Sequence, residues 1–388
     1  MPKVVDLFAG CGGLSRGFQD TGFEVVAAFE NWPVAADCYS KNFAHPVYRE
    51  DLNDVESSVK LIEGFEPDII IGGPPCQDFS HAGKRIEAGR AGLTEAYASI
   101  INQIRPSYFL MENVDRAQNS NAYSVARSIF KEAGYGLTER VLLASRCGVP
   151  QRRKRFFCIG ILGGEDEALS DALDKGLSER EMTVRDYLGD SLDTEYYYRH
   201  PRNYNRRGVF SIDEPAPTMR GVNRPIPKGY PGHPNDACQI LDKVRPLTTL
   251  ERSLIQTFPA DFKWSGSKTD REQMIGNAVP VNLGAYVAKA LMEYIDASHA
   301  SNVDVFASEF TSWLVQNKGL SVRSSNDVKS RLIRAEGILP LERIDKPGLF
   351  LARLDQTSEF QELSQTVKSQ LRRSVRLFSE FVKTKNLA

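Results

Sequence analysis

Four residues that can bind or react with a ligand each follow a short apolar run. Glu30, Asp51, Cys76 and Glu112 come after runs that predict β-strands. The predicted strands are Lys3 to Phe8, Val25 to Phe29, Pro46 to Tyr48, Ile69 to Ile71 and Tyr108 to Met111. Because open α/β sheets bind ligands at the carboxyl ends of their strands, we expect the four side chains to share one crevice. The pattern predicts a nucleoside site beside a nucleophile.

Cys76 is the candidate nucleophile of this crevice. It lies in Gly72-Gly73-Pro74-Pro75-Cys76-Gln77-Asp78-Phe79-Ser80, where two glycines and two prolines end the strand and stiffen the turn. A lone cysteine is in most proteins a small buried hydrophobe. Here the unusual Pro-Pro-Cys-Gln sequence at the end of a strand favours a reactive thiolate.

A glycine-rich turn follows the first predicted strand and leads into a helix. Its sequence, Ala9-Gly10-Cys11-Gly12-Gly13-Leu14, departs from the dinucleotide spacing G-x-G-x-x-G. It suits a ligand that approaches the backbone closely without a pyrophosphate. Glu30 comes twenty residues after Gly10, at the distance where an acid accepts ribose hydroxyls.

The composition of the 388-residue chain is that of an ordinary globular protein, with 41% hydrophobic residues, 26% charged residues and a net charge of −1. Six irregularly spaced cysteines, with no Cys-x-x-Cys pair, and five scattered histidines argue against a zinc site or a disulfide framework. The first strand begins at Lys3, which leaves no room for a signal peptide, and no apolar run reaches membrane-spanning length. We expect a cytoplasmic protein.

The middle and the end of the chain differ in character from the sheet region. The stretch between Tyr196 and Tyr230 contains seven cations and only two acids, Asp213 and Glu214, which predicts a local basic surface. The cations are Arg199, Arg202, Arg206, Arg207, Arg220, Arg224 and Lys228. Residues 303–388 carry helical signals, including an apolar stripe of Leu371, Val375, Phe378 and Val382.

Six segments, in chain order, resemble the motifs of the cytosine-5 DNA methyltransferases of the bacterial restriction–modification type. They are Asp6 to Gly13, Gly72 to Ser80, Glu112-Asn113-Val114, Gln151 to Arg155, Arg245-Pro246-Leu247-Thr248 through Pro259, and Gln273 to Pro280. The resemblance covers about Lys3 to Leu291 and is specific, because the order as well as the content agrees.

The resemblance implies an α/β fold with a Rossmann-like S-adenosylmethionine-dependent methyltransferase sheet. A mostly irregular target recognition domain is inserted in it, and a helical C-terminal appendix follows. We expect the catalytic domain at 1–182 and 263–298, the recognition domain at 183–262 and the appendix at 299–388. The role of the appendix stays open between packing, a dimer contact and an extra DNA clamp.

The implied cofactor is S-adenosylmethionine, with S-adenosylhomocysteine as product and no metal. The resemblance places its site at Phe8, Gly10, Cys11, Gly12, Gly13, Leu14, Glu30, Asn31, Trp32, Asp51, Leu52, Pro74, Asn277 and Val279. The family often has an apolar or aromatic residue directly after the ribose-binding acid, whereas here Asn31 follows Glu30 and Trp32 comes one place later. Which of the two contacts adenine stays open, since Trp32 can also pack the helix start with Pro33.

The implied catalytic residues are Cys76, Glu112, Arg153 and Arg155. Carbon 5 of cytosine is a poor nucleophile until a thiolate adds to carbon 6, and Glu112 is the candidate donor to N3. A salt bridge to one of the nearby arginines is the alternative role of Glu112. Arg153 and Arg155 alternate, so in an extended segment both face the same side, where guanidinium groups suit the cytosine O2 and a flanking phosphate. A cytosine in a duplex must be flipped out to reach such a site.

The expected partner is double-stranded DNA. The candidate DNA contacts are Ser80, Lys84, Arg85, Arg90, Gln151, Arg220, Asn223 and Arg224. The loop from Asp78 to Gly92 has the glycines and cations of a mobile basic lid. We further expect a monomer at the nucleoid, with a restriction endonuclease of the same site as a potential partner. The alternatives are RNA cytosine methylation, which a large basic middle segment disfavours, and a catalytically silent DNA-binding regulator, which the retained Cys76 disfavours.

Overall fold

The computed structural model describes residues 1–75, 92–341 and 347–384, and for residues 298–308 the backbone alone. Two compact units make up the chain, Met1–Leu291 and Met292–Ala388. No helix in the described part of the chain is both long enough and apolar enough to span a membrane.

A seven-stranded sheet forms the centre of the first unit. Its strands are β1 Lys3–Leu7, β2 Glu24–Phe29, β3 Val47–Tyr48, β4 Ile69–Gly72, β5 Tyr108–Val114, β6 Tyr135–Leu143 and β8 Lys154–Leu162. The short strand β7 Gln151–Arg152 lies outside this sheet. The strand order is β3-β2-β1-β4-β5-β8-β6, in which β8 runs antiparallel to β5 and β6 and the other pairs are parallel. The order reverses between β1 and β4, which is where such sheets bind ligands.

Helices cover this sheet because its central strands are apolar on both faces. The helices of this region are α1 Gly13–Asp20, α2 Pro33–Ser40, α3 Val55–Glu63, α4 Gly92–Ile104 and α5 Asn121–Glu132. The β4 residues Ile69, Ile70 and Ile71 are fully buried, as the apolar run predicts. Apolar residues of α3, α4 and α5 join those of the strands in one core cluster.

The segment after the sheet contains short elements. They are α6 Ser170–Lys175, α7 Val184–Leu188, β9 Tyr196–Tyr198, β10 Val209–Ser211, β11 Ala216–Pro217, β12 Val244–Pro246, α8 Thr249–Ile255, α9 Lys268–Asn277 and α10 Val281–Lys318. Strands β10, β9 and β12 form a three-stranded sheet, while β11 pairs with β7. A Cβ added at Gly17 of α1 would lie 2.5 Å from the backbone nitrogen of Ala285, so the start of α10 packs directly on α1.

The second unit is helical. After α10 it contains α11 Val322–Ile338, α12 Pro347–Leu354, α13 Ser358–Gln361 and α14 Gln365–Thr384. The predicted stripe of Leu371, Val375, Phe378 and Val382 is buried, and these residues share one cluster with Phe310, Leu314 and Leu332. The unit therefore has a hydrophobic core of its own.

Candidate active site

A cavity of about 760 Å³ lies at the carboxyl ends of β1, β2, β4 and β5. Its walls contain thirteen of the fourteen residues predicted to bind a cofactor: Phe8, Gly10, Cys11, Gly13, Leu14, Glu30, Asn31, Trp32, Asp51, Leu52, Pro74, Asn277 and Val279. Glu112 and Arg155 line it as well. The structure therefore brings the two predicted groups of residues into one cavity.

The glycine-rich turn forms one wall through its backbone. Gly10 has φ +57°, and a Cβ added there would meet no protein atom within 4 Å. Because Gly10 lines the cavity, a side chain at this position would occupy ligand space. Gly12 differs from the prediction: it is absent from the cavity wall, and an added Cβ would lie 2.3 Å from the ring of Phe43. Close packing, together with φ +95°, explains that glycine.

Glu30 is held in place by two backbone amides. Its Oε2 accepts from Gly10 N at 2.8 Å, and its Oε1 accepts from Trp32 N at 2.7 Å. Each oxygen keeps a lone pair for a further donor, as the bidentate recognition of ribose hydroxyls requires. Trp32 precedes Pro33, the first residue of α2, and both Asn31 and Trp32 line the cavity, so the choice between them stays open.

Asp6 is a cavity residue that the sequence reasoning missed. Its side chain is buried, its Oδ2 accepts from the Ser15 hydroxyl at 2.5 Å, and its Oδ1 has no hydrogen-bond partner among the described residues. Burial, followed by the charge of Glu30, raises the pKa of Asp6 to about 7. Tyr39 donates to Ser15 Oγ at 2.7 Å and lies 2.6 Å from Nε2 of His45, so a chain of hydrogen bonds leads outward from Asp6.

Glu112 of β5 and Arg155 of β8 form an ion pair in the wall of the cavity. Arg155 Nε lies 2.8 Å from Glu112 Oε1, and the two side chains are 13% and 10% exposed. Register explains the pairing, since Glu112 of β5 is opposite Phe157 of β8, two residues along from Arg155. Burial raises the pKa of the Glu112 carboxyl, and the positive charges of Arg155 and then Arg153 oppose that rise. Both predicted roles of Glu112, proton donor and salt-bridge partner, are therefore compatible with one position.

The turn after β4 passes directly along Glu112. A Cβ added at Gly73 would lie 3.1 Å from Glu112 Oε2. Asn113 Nδ2 donates to the carbonyl of Pro74 at 3.0 Å and so fixes the turn from the next strand. Pro75 lines the cavity and precedes Cys76. Cys76 itself, like Ser80, Lys84, Arg85 and Arg90 and the lid predicted around them, lies outside the described residues.

Arg153 occupies a different position from the one predicted. It is 1% exposed, and its guanidinium donates to the carbonyls of Met219 at 3.1 Å and of Gly276 and Ala278 at 3.0 Å. Arg153 is not part of the cavity wall, whereas Arg155 is. Arg153 lies between β7 and β8, and its amide donates to the Gln151 carbonyl at 2.9 Å. The segment is therefore not continuously extended, and the alternation rule does not apply.

Gln151 also differs from its predicted role as a DNA contact. Its side chain is fully buried, its Oε1 accepts from Met219 N at 2.9 Å, and its Nε2 donates to Gln256 at 2.7 Å. Gln256 in turn donates to the carbonyls of Ile275 and Ala278. The segment at Met219 and the segment Gly276–Ala278 are thus joined by three buried side chains, those of Gln151, Arg153 and Gln256.

A second cavity, of about 770 Å³, is lined by six arginines and one acid. The arginines are Arg116, Arg199, Arg202, Arg206, Arg207 and Arg220, and the acid is Asp115. Arg207 is paired with Glu214. Burial, and after it the positive charges of Arg220, Arg252 and Arg202, lower the pKa of Arg199 to about 10. We call this cavity the arginine cavity; it meets the first one at Val114, which lines both.

Of the three contacts predicted in the middle segment, Arg220 lines the arginine cavity. Arg224 is exposed. Burial, and after it the positive charges of Arg202 and Arg224, lower the pKa of Arg220. Asn223 donates its amide to the Leu247 carbonyl at 2.7 Å and to Glu272 at 3.2 Å, so those hydrogens already have partners within the protein. In the described ranges, there is no group of three or more His, Cys, Asp or Glu side chains arranged to hold a metal.

Comparison with solved structures identifies the fold. Solved structures with the same fold include the Dnmt2 methyltransferase of S. pombe, with TM-score 0.58 and 19% identity over 76% of this chain and 99% of that chain. A DNMT2 variant of Spodoptera frugiperda has TM-score 0.57 and 19% identity, covering 75% of this chain and 100% of that one. The fold is the Rossmann-like fold of the S-adenosylmethionine-dependent methyltransferases.

Sequence comparison gives the family. C-5 cytosine-specific DNA methylase is the family that matches residues 2–293. Among similar proteins, Type II methyltransferase M.HindV of Haemophilus influenzae is 58% identical over 294 residues, which are 75% of this chain and 97% of that protein. Type II methyltransferase M.HgiDI of Herpetosiphon aurantiacus is 53% identical over 309 residues, 79% of this chain and 100% of that protein. The chain belongs to the C-5 cytosine-specific DNA methylases and is a DNA (cytosine-5)-methyltransferase.

Proposed function

We propose that this DNA (cytosine-5)-methyltransferase modifies one short duplex sequence through a covalent adduct between Cys76 and carbon 6 of a flipped-out cytosine. The observation that carries the proposal is the position of the Glu112–Arg155 pair. It lies on the wall of a nucleoside-sized cavity whose rim includes Pro75, directly before Cys76. Glu112, the proposed proton donor, and Pro75, at the start of the proposed nucleophile loop, thus line the same cavity.

The cavity suits S-adenosylmethionine, which supplies an activated methyl group when bound. Glu30 offers paired lone pairs for the ribose, and the open face of Gly10 admits the ligand against the backbone. The buried Oδ1 of Asp6 has no partner among the described residues, so it can accept a hydrogen bond from the ammonium group of the cofactor. Asp51, Leu52, Asn277 and Val279 complete the wall, with either Asn31 or Trp32 against the adenine.

In the proposed reaction the Cys76 thiolate forms a bond to carbon 6, and the displaced π electrons move toward N3 and carbon 5. Glu112 stabilises this charge by donating its proton to N3, and its raised pKa favours the protonated form that the step needs. Arg155 holds the Glu112 carboxyl in place and offers its remaining donors to the cytosine O2. The methyl group then passes from the cofactor sulfur to carbon 5. Loss of the carbon 5 proton to water, release of the Cys76 thiolate and return of the N3 proton to Glu112 restore the aromatic ring.

Base flipping requires a grip on the DNA backbone outside the cavity. The arginine cavity and the first cavity share Val114, and most of the arginines have no carboxylate partner among the described residues. Phosphates are the ligands that such a cluster of guanidinium groups prefers. We assign Arg199, Arg202, Arg206 and Arg220 to the phosphates around the flipped nucleotide. Because its substrate is DNA, we expect the enzyme at the nucleoid. We also expect a monomer, with a restriction endonuclease of the same site as its potential partner.

Bisulfite sequencing of plasmid DNA from cells that express the protein tests the activity and finds the target together. Protected cytosines in one recurring sequence, absent from cells with the Cys76→Ala variant, are expected. Unprotected DNA with well-folded wild-type protein would contradict DNA methylation, and tRNA from the same cells would then be sequenced.

A duplex with 5-fluorocytosine at the mapped position tests the covalent step. Fluorine at carbon 5 cannot leave as a proton does, so the Cys76 adduct is retained after methyl transfer. A protein–DNA band that survives denaturation is expected with wild type and not with Cys76→Ala. Turnover without any such band would rule out the adduct.

A further inference from the structure

The second unit, residues 292–388, lies almost wholly outside the segment that matches the family. The family match ends at residue 293. The two relatives described above are matched over 97% and 100% of their own lengths by 75% and 79% of this chain. The unit nevertheless has a hydrophobic core of its own, so it is a folded module and not an unstructured extension.

The surface of this module is unevenly charged, and α14 carries most of the asymmetry. The helix contains five cations, Lys368, Arg372, Arg373, Arg376 and Lys383, and one acid, Glu380. Its buried face is Leu371, Val375, Phe378 and Val382 with their neighbours. Arg373, Arg376 and Lys383 are exposed on the opposite side. Steps of three and seven residues keep these three side chains on one face of a helix.

Partners within the protein account for the other charges of α14. Arg372 pairs with Asp355 at 2.7 Å, and Glu380 pairs with Lys318 at 2.5 Å. Lys368 donates to the Gln361 carbonyl at 2.7 Å. Arg373, Arg376 and Lys383, by contrast, form no ion pair with any other described residue. The single acid of the helix is thus paired, and three cations have no ion-pair partner in the part of the chain that the structure describes.

We propose that this face of α14, defined by Arg373, Arg376 and Lys383, binds the phosphate backbone of duplex DNA. The three cations extend over ten residues, which is about 15 Å of helix axis, a length along which a duplex presents several phosphates. The inference rests on the proposed function for its choice of polyanion, since the enzyme must engage duplex DNA to act. Contacts of this kind carry no base information and add affinity for any sequence.

The test uses the full-length protein and a fluorescein-labelled 30-base-pair duplex of arbitrary sequence. The triple variant Arg373→Gln/Arg376→Gln/Lys383→Gln removes the charges while glutamine preserves helix propensity. Anisotropy titrations from 50 to 300 mM NaCl give the slope of log Kd against log salt concentration. Three lost phosphate contacts are expected to reduce that slope by about 2.7 and to weaken binding at 100 mM salt at least tenfold.

Two control proteins separate the DNA contact from a change in fold or in net charge. Lys60→Gln/Lys175→Gln/Lys268→Gln removes three exposed cations of the first unit and should leave the slope unchanged. Arg373→Lys/Arg376→Lys/Lys383→Arg preserves the charge and should bind like wild type. An unchanged slope in the charge-removing variant, or an equal loss in the charge-preserving one, would overturn the proposal.

Two further measurements distinguish this proposal from the proposed function. Methyl transfer at saturating DNA should be the same in wild type and in the triple glutamine variant, because α14 takes no part in the chemistry. Failure of the bisulfite test with intact duplex binding would therefore refute the proposed function alone. A labelled RNA of equal length or an anionic vesicle that depended more on the three cations than the duplex does would refute the DNA assignment.

Discussion

Gln151 donates its side-chain amide to Oε1 of Gln256 at 2.7 Å, although 105 residues separate the two in the chain. Both side chains are fully buried, and the bond joins the segment before β8 to the segment after α8. Their hydrogen bonds reach Met219, which lies between Thr218 and Arg220 of the arginine cavity, and Ala278 in the wall of the first cavity. Segments of the two cavities are thus joined by amides that line neither cavity.

Removal of either amide is expected to destabilise the first unit. Gln151→Ala and Gln256→Ala each leave buried donors or acceptors without partners, which costs about 1–3 kcal/mol in the free energy of unfolding. Because the two residues share a bond, the double variant should lose less than the sum of the single losses. Urea unfolding of all four proteins measures this coupling. Strictly additive losses would show that the pair does not act as a unit.

Arg153 is expected to act as a positioning residue rather than a catalytic residue. Arg153→Lys keeps the charge but cannot reach the Met219, Gly276 and Ala278 carbonyls together. We expect the Kd for S-adenosylhomocysteine, measured by calorimetry, to rise about tenfold, and the KM for the cofactor to rise more than kcat falls. The matched control is Arg152→Lys, an exposed neighbour paired with Glu181. Loss of kcat with an unchanged Kd would instead indicate direct catalysis by Arg153.

Glu112 should produce a descending limb in the dependence of kcat/KM on pH. Its protonated form is the proposed donor, and burial raises its pKa, so kcat/KM is expected to fall as the pH rises through that raised pKa. Arg155 opposes the rise; its removal in Arg155→Gln should therefore move the limb to higher pH while lowering the rate. Lys154→Gln, at the exposed neighbour, should leave the limb in place. A limb that does not respond to Arg155→Gln would belong to another group.

Glu112→Gln provides a second check on the same limb. The amide can donate to N3 but cannot ionise, so the pH dependence should disappear and the rate should drop about 10²–10⁴-fold. A variant that retains both the wild-type rate and the wild-type profile would exclude Glu112 as the acid.

Asp6 should couple stability to pH. Its pKa is raised from 3.8 to about 7 in the folded protein, so folding favours the protonated form. Its contribution to stability is fully present below about pH 4 and is lost as the pH rises through about 7. Asp6→Asn should therefore stabilise the protein at pH 8 relative to wild type, by up to about 4 kcal/mol, and much less at pH 5. Thermal unfolding at both pH values, with the exposed Asp261→Asn as control, measures the difference.

The sequence alone is sufficient for the fold class and for three acids of the cavity wall. Apolar runs mark β1 to β5, and the carboxyl end of a strand is a fixed place in a parallel sheet, so Glu30, Asp51 and Glu112 follow from local pattern. Strand β6, Tyr135–Leu143, gave no such signal, because Glu139 and Arg140 interrupt its apolar pattern. Its place is set by pairing with β8, a contact between distant parts of the chain.

The tertiary structure alone decided the roles of Arg153, Gln151, Gly12 and Asp6. Alternation along an extended segment placed Arg153 beside Arg155, but the tight turn from Gln151 to Arg153 turns its guanidinium into the protein interior. The hydrogen-bond partners of these residues lie up to a hundred or more residues away along the chain. Their exposure likewise depends on distant parts of the sequence. Sequence pattern encodes periodicity and chemistry at a position, whereas burial and long-range hydrogen bonding exist only once the chain has folded.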